Sequence, residues 1–164
     1  MQIIGDFTTS VKKALSEIDP KYMDYPGLVV CGSHTPHDTE RMISEIVLAR
    51  VSKLPALLIC LGYQLAAIEY ARNVLRIQDA TSEEFGTGTF VVKKRPNLKV
   101  GLHNGETYWN NYEVDLPDWK LPPHFFGSQS HPEYQSSKSN PHPLLVSFID
   151  YARKMASQVV ANIG

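Results

Sequence analysis

Ala56-Leu57-Leu58-Ile59-Cys60-Leu61-Gly62-Tyr63-Gln64 changes its periodicity partway along. Ala56 to Cys60 is a continuous apolar run of strand length, the pattern of a strand buried on both faces. From Gly62 to Asn73 the pattern becomes helical, with Leu65, Ile68, Glu69 and Arg72 at helical spacing. A strand that turns sharply into a helix presents the residue at the junction, Cys60, at the carboxyl end of a sheet. Gly62 lets that turn be tight and lets another backbone approach. Upstream, Gly27 to Cys31 repeats the buried-strand pattern. Asp38 or Thr39 can cap a helix to about Leu54, with Ile43, Ile46, Val47 and Val51 on one stripe and Pro55 ending it. Gln2 to Gly5 reads as a first short strand. Ser10 can cap a helix through Val11, Leu15 and Ile18. Two strand–helix units joined by short turns predict an α/β fold with a mainly parallel sheet flanked by helices in three layers.

The second half is less regular. Thr89 to Val92, Leu98 to Leu102 and Thr107 to Val114 read as strands, and His124 to Ser128 precedes a Ser/Asn/Pro-rich loop. A last helix is expected from about Pro143 to Val160, with Leu145, Phe148, Ile149 and Ala152 apolar. Glu69 and Arg72 read as a weak surface pair, and Lys93-Lys94-Arg95 as a solvated turn. Tyr108, Trp109 and Tyr112 read as core or pocket wall rather than a base-stacking platform, because no basic residues interleave.

At 164 residues, one domain spanning 1–164 is expected. Apolar residues make up 43% and charged residues 20%, an ordinary globular balance. Sixteen Lys+Arg against seventeen Asp+Glu give a net charge of -1, which gives no support to a nucleic-acid or anionic-membrane partner. The beginning, MQIIGDF, does not read as a secretory signal, and the apolar runs are too short to span a bilayer. Two cysteines, Cys31 and Cys60, make no disulfide framework, so a reducing, cytoplasmic setting is expected. Cys31, His34 and His37 lie close together but lack a convincing fourth ligand, and no metal is expected there.

Cys60 would sit near a helix N-terminus, whose dipole favours the thiolate, with the Leu61 N–H aimed where an oxyanion develops. The competing reading of a lone cysteine is a buried core position. Ser130-His131-Pro132-Glu133-Tyr134 offers a base. In extended backbone His131 and Glu133 point to one side, so Glu133 would fix the imidazole tautomer while the other nitrogen faces a thiol. A base far along the chain but near in space is the expected pattern for a cysteine nucleophile.

Leu58 to Gln64 resembles the nucleophile elbow of class I glutamine amidotransferases, and Ser130-His131-Pro132-Glu133 resembles their His-x-Glu element. The match is closer to one branch, the glutaminase domain of CTP synthases. It is carried by Cys60 to Val74, Ala80 to Phe85, Asn111 to Val114 and Gln129 to Leu144, and more weakly by Val30 to Ile43. The resemblance implies that family's flavodoxin-like fold and a Cys-His-Glu triad. Cys60 would form a thioester with the glutamine carboxamide, His131 would act as base and then acid, and Glu133 would orient it. Leu61 with the Gly32-Ser33 turn would form the oxyanion hole, and Gln64, Glu84, Asn111 and Tyr112 would line the substrate site. The implied function is a glutamine amidotransferase-like cysteine amidase of pyrimidine metabolism, needing no cofactor. It would hydrolyse glutamine or an analogue and deliver ammonia to a separate synthetase subunit.

Four departures qualify that expectation. Cys31-Gly32-Ser33-His34 replaces a glycine-richer oxyanion turn, removing positive-φ freedom. Asn110-Asn111 stands where the family has an arginine before Tyr-Glu-Val, and asparagine gives no bidentate charge pairing to a carboxylate. The stretch from Ile18 to Gly27 is too short for the second strand of this fold, so either the sheet has lost a strand or a partner, a separate subunit or a second copy in a homo-oligomer, completes it. No G-x-x-x-x-G-K-[ST] phosphate loop occurs, so this chain alone is not expected to bind ATP or make CTP. Two other readings follow: a catalytically weak homologue acting as a binding or regulatory subunit, and a stand-alone γ-glutamyl hydrolase.

Overall fold

The computed structural model describes residues 1–97 and 100–161. The elements run β1 (Gln2–Ile4), α1 (Thr8–Ile18), β2 (Leu28–Val30), α2 (Thr39–Ser52), β3 (Ala56–Ile59), α3 (Leu61–Asn73), β4 (Ala80–Ser82), β5 (Thr89–Lys94), β6 (Gly101–His103), β7 (Glu106–Tyr108), β8 (Tyr112–Val114), β9 (Phe125–Ser128) and α4 (Pro143–Ala161). The central sheet is parallel throughout, in the order β1-β2-β3-β9, with Val30 opposite Leu58 and Ile59 opposite Ser128. Residues 19–27 hold only a 3-10 turn at Tyr22–Asp24, and β1 pairs directly with β2. The shortened sheet expected from Ile18 to Gly27 is therefore what forms.

Strand alternation sorts the core into two layers. Leu28, Val30, Ala56 and Leu58 face α2 and α3 with Ile43, Ile46, Leu65 and Ile68. Val29, Cys31, Leu57 and Ile59 face α1 and α4 with Leu15, Leu145, Phe148 and Ile149. Helices cover both faces of the sheet, as the continuous apolar strands require. Among the described residues no helix is long and apolar enough to cross a membrane.

Several local expectations are corrected. Ser10 lies inside α1, its hydroxyl donating to the Phe7 carbonyl (3.1 Å), rather than capping it. Asp38 holds the cap position of α2 in left-handed backbone and its side chain makes no capping bond. The buried stripe of α2 is Met42, Ile43, Ile46 and Ala49; Val51 points to solvent, because a 3.6-residue period carries it past the sheet-facing side. Glu69 is not a surface partner of Arg72. It is buried and accepts from Arg50 Nε (2.9 and 3.0 Å) and Nη2 (2.8 Å), while Arg72 reaches Glu40 (2.8 and 2.9 Å) and the Ala80 carbonyl (2.8 Å). A buried carboxylate is tolerated only when so paired.

Lys93 and Lys94 end β5, with Arg95 directly after it, and the three do not form a solvated turn. Lys93 pairs with Asp115 (2.8 Å) and Arg95 with Glu113 (3.2 Å) and Asp115 (3.3 Å) across the antiparallel β5–β8 ladder. That ladder and β4, which pairs with β5 in parallel, form a second sheet in the order β4-β5-β8. The single strand expected over Thr107 to Val114 divides into β7 and β8. Asn110 Oδ1 accepts the Tyr112 N–H (3.2 Å), and this local side-chain bond replaces a ladder bond at the break. Of the strand expected from Leu98 to Leu102, residues 98 and 99 lie outside the described residues; β6 begins at Gly101.

Candidate active site

Cys60 caps α3 at the carboxyl end of β3, with φ 52° and ψ -103°. A non-glycine residue at positive φ is uncommon and costs on the order of 1–3 kcal/mol, sustained only where its surroundings over-determine it. Here they do. The Cys60 N–H donates to the Ser128 carbonyl of β9 (2.8 Å), and its own carbonyl accepts from the Gln64 N–H (3.1 Å), opening the helix. Gly62 makes the turn fit: a Cβ there would lie 2.3 Å from the Val30 carbonyl oxygen of β2.

The thiol is 1% exposed. Burial pushes it up to about 12, the Glu84 and Glu133 carboxylates add to the rise, and the Leu61 N–H and the Asn110 amide pull the other way. The helix terminus therefore does not win against burial, contrary to the expectation of a favoured thiolate, and Cys60 is a protonated thiol at neutral pH. Alkylation follows the thiolate fraction. With the acidity displaced upward, the rate of Cys60 modification by iodoacetamide should climb about tenfold per pH unit and still be climbing past pH 9. An ordinary cysteine levels off near its value of about 8.5. A plateau below pH 9 would show that the helix terminus prevails.

His131 is completely buried just before a 3-10 turn at Pro132–Tyr134. Its Nδ1 lies 2.7 Å from Glu133 Oε1, and its backbone N–H donates to the Thr107 carbonyl (2.7 Å). Sequence reading paired these two side chains through extended backbone; the pair forms through a turn, with Pro132 at its first position. With Glu133 ionised, Nδ1 carries the proton and Nε2 is the basic nitrogen. Nε2 is buried and has no hydrogen-bond partner. Cys60 Sγ is held instead by the side-chain amides of Asn110 (3.6 Å) and Gln129 (3.7 Å).

The turn after β2 resolves the glycine question. Neither Gly32 nor Ser33 has a positive φ, so serine is accommodated without strain. What Gly32 provides is space, since a Cβ would stand 2.6 Å from His131 Cε1 and 2.9 Å from Phe7 Cδ2. Ser33 Oγ rests on the Asp6 carboxylate and accepts the Thr35 N–H (3.2 Å). The structure disperses Cys31, His34 and His37. Cys31 is in the core under α1, His34 stands edge-on to Phe7 (4.6 Å between ring centres), and His37 faces Asp6 at the surface (3.5 Å). Among the described residues no three His, Cys, Asp or Glu side chains are grouped to hold a metal ion.

Gln64 is fully buried, its Nε2 donating to Gln129 Oε1 (3.1 Å) and its Oε1 unpartnered. Glu84 has a buried, unpartnered Oε2, and burial raises its carboxyl above the usual range. The Asn111 carbonyl accepts the Arg95 N–H (2.7 Å), and the Tyr112 ring lies against the α2–α3 core. Asn110, one residue earlier than the position singled out in the sequence, is the one that reaches the thiol. Gln129 was visible as part of the His131 segment, yet nothing in one sequence assigns it a contact. Phe7 also escaped notice as a site residue, while Trp109, read as core or pocket wall, stands at the site. Their rings stand at right angles to His131, 5.3 and 6.3 Å between centres.

Residues 6–119 match the family model described as glutamine amidotransferase class-I. The chain is 31% identical to a CTP synthase of Pelagibacter ubique over 88% of its own length and 38% of that protein's. It is 29% identical to a CTP synthase of Methanoregula boonei over 79% of its length and 34% of that protein's. It thus spans little more than a third of these relatives. The solved glutaminase domain of Trypanosoma brucei CTPS, with bound acivicin, superposes with a TM-score of 0.70 at 19% identity, covering 94% of both chains, which shows a shared fold. With the elbow at Cys60 and that match over residues 6–119, the chain belongs to the class I glutamine amidotransferases, in kinship with the glutaminase part of CTP synthases.

Proposed function

We propose that the chain is a cysteine amidase that hydrolyses glutamine, or a related carboxamide, and supplies ammonia to an acceptor enzyme outside residues 1–164. The observation that supports this best is the buried His131, tied to Glu133 at Nδ1 (2.7 Å) with Nε2 unpartnered, in a site whose thiol is protonated. A protonated thiol needs a base, and the unpartnered Nε2 of His131 supports assigning that role to it.

In this reading Nε2 takes the Sγ proton as sulfur attacks the carboxamide carbon. The developing oxyanion is held by the Leu61 N–H and by an N–H of the Gly32-Ser33 turn. Glu133 stabilises the imidazolium that forms. The imidazolium then protonates the departing nitrogen, the C–N bond breaks, and ammonia leaves a thioester on Cys60. Water, deprotonated by His131, hydrolyses that thioester to the carboxylate. The balance is carboxamide plus water to carboxylate plus ammonia. Gln64 and Glu84, with polar atoms unpartnered, and the Asn111–Tyr112 stretch would hold the rest of the substrate.

The test is ammonia release from glutamine by the pure chain. Cys60→Ser and His131→Ala should each lose roughly a thousandfold or more, and the double variant little beyond either, because the two act as a unit. Full activity in Cys60→Ser would overturn the reading. A second reading, a binding or regulatory homologue, is favoured by Sγ being held by Asn110 and Gln129 rather than by His131. Glutamine binding without release by the wild-type chain would establish it. Amine or peptide products in place of ammonia would indicate a γ-glutamyl hydrolase.

A further inference from the structure

Cys60 and His131 are 1% and 0% exposed, so something must move before any substrate reaches them. Against them lie Trp109 and Asn110, the two residues that follow the β6–β7 hairpin, beside Phe7 and Gln129. Asn110 Nδ2 donates to Cys60 Sγ (3.6 Å). Trp109 lies over His131 (6.3 Å between ring centres), stacks with Phe7 (6.4 Å) and meets His34 and Tyr134 edge-on (5.8 Å each), while 45% of it faces solvent.

The hairpin itself is not stitched into either larger sheet; Asn110, after it, accepts the Tyr112 N–H of β8 (3.2 Å) and the Gln129 amide (3.5 Å). β6 and β7 pair only with each other among the described residues, Gly101 opposite Tyr108 and His103 opposite Glu106. Among the described residues the hairpin's hydrogen bonds to the body of the protein include those from β7. The Thr107 carbonyl accepts the His131 N–H (2.7 Å), and Thr107 Oγ1 takes the Gln135 amide. The charged fastening is Glu106. Its Oε2 accepts from Ser130 Oγ (2.7 Å) and its Oε1 accepts from His142 Nε2 (3.1 Å). Ser130 immediately precedes His131, and His142 immediately precedes α4. His142 Nδ1 accepts the Leu144 N–H (3.2 Å), which places the imidazole proton on Nε2, where it points at Glu106. Ser130 is buried and also contacts Ser128 Oγ (2.6 Å), so its hydroxyl is directed rather than free. One carboxylate thus joins the hairpin to the histidine loop and to the start of α4. Hydrogen bonds to a charged acceptor are the strong kind.

We propose that Glu106 is a latch, a positioning residue that holds the β6–β7 hairpin, and with it Asn110 and Trp109, closed over Cys60. Release of its bonds to Ser130 and His142 lifts the hairpin and admits the carboxamide. The admission of substrate rests on the amidase reading; the shielding of the thiol does not.

The test is alkylation of Cys60 by iodoacetamide at fixed pH, mapped by peptide mass spectrometry, with the buried Cys31 followed in the same samples as an internal control. Glu106→Ala should speed modification of Cys60 roughly tenfold with Cys31 unaffected. Ser130→Ala, which leaves the His142 bond, should give a smaller acceleration at Cys60 alone and serves if the first variant folds poorly. An unchanged or slower Cys60 rate in both variants would overturn the latch. So would equal acceleration at Cys31 and Cys60, which would mean general loosening. Because alkylation needs no turnover, a chain inactive on glutamine would still decide the latch, and an active chain could still lack it.

Discussion

On the amidase reading, Glu133→Gln should lower glutamine turnover by roughly a thousandfold or more while leaving the fold intact. The carboxylate sits 2.7 Å from His131 Nδ1, and both side chains are completely buried. Two losses combine in the amide. It carries no charge to stabilise the imidazolium that the proposed transfer of the thiol proton to Nε2 would form. In one of its two orientations it also donates to Nδ1, which moves the imidazole proton to Nε2 and leaves nothing to accept from sulfur. The opposing effect is weaker and has a known sign. The charge on Glu133 helps hold the Cys60 thiol above its ordinary value, so removing it makes the thiol slightly easier to ionise. The variant should therefore be nearly inactive in ammonia release and yet alkylate at Cys60 no more slowly than the wild type. Turnover within tenfold of wild type would mean that Glu133 only fills space. A parallel loss of alkylation would mean that the site had collapsed.

Gly62→Ala is the substitution expected to cost the most stability. The added Cβ would lie 2.3 Å from the Val30 carbonyl oxygen and 2.9 Å from Val30 Cβ. Neither can yield, since Val30 is fully buried in β2 and paired opposite Leu58 of β3. The only relief is to move the start of α3 away from the sheet, which opens the core under Leu61 and Leu65. Overpacking of this kind costs about 3 kcal/mol, at the upper end of its usual range, a large part of the total for a domain of this size. Such a loss lowers the melting temperature by roughly 10 °C. Thermal unfolding followed by circular dichroism checks it; a change under 2 °C would show that α3 slides freely on β2. Movement of α3 also carries Cys60 and the Leu61 N–H with it, so any residual fold should be inactive.

Much of this was legible in local pattern, because the features concerned are local. Continuous apolar runs at Leu28–Val30 and Ala56–Ile59 can only be strands covered on both faces, and the switch to helical spacing after Gly62 puts Cys60 at a strand–helix junction. The short gap after Ile18 excludes a strand by length alone. His131 with Glu133 two residues on is a short-range pair, and the turn and the extended chain both bring it together. Errors arose where a side chain's partner lies far along the chain. Glu69 looked like a neighbour of Arg72, yet its partner is Arg50 on α2, because α2 and α3 lie side by side on one face of the sheet.

The amino-acid sequence by itself determined the layer architecture, the strand–helix junction that carries the cysteine, and the acid–histidine pair, all of which follow from periodicity and near-neighbour chemistry. Only the tertiary structure decided the state of the site. Burial outweighs the helix terminus and keeps the Cys60 thiol protonated, Gly32 serves as room for the His131 ring rather than as a flexible joint, and Asn110 rather than Asn111 meets the sulfur. Tertiary structure alone also set Glu106 between Ser130 and His142, residues 24 and 36 positions away, and brought Asn110 and Trp109 against Cys60 and His131. The physical reason is that desolvation, close approach and long-range hydrogen bonding depend on which surfaces meet in space, and spacing along one chain does not encode that locally.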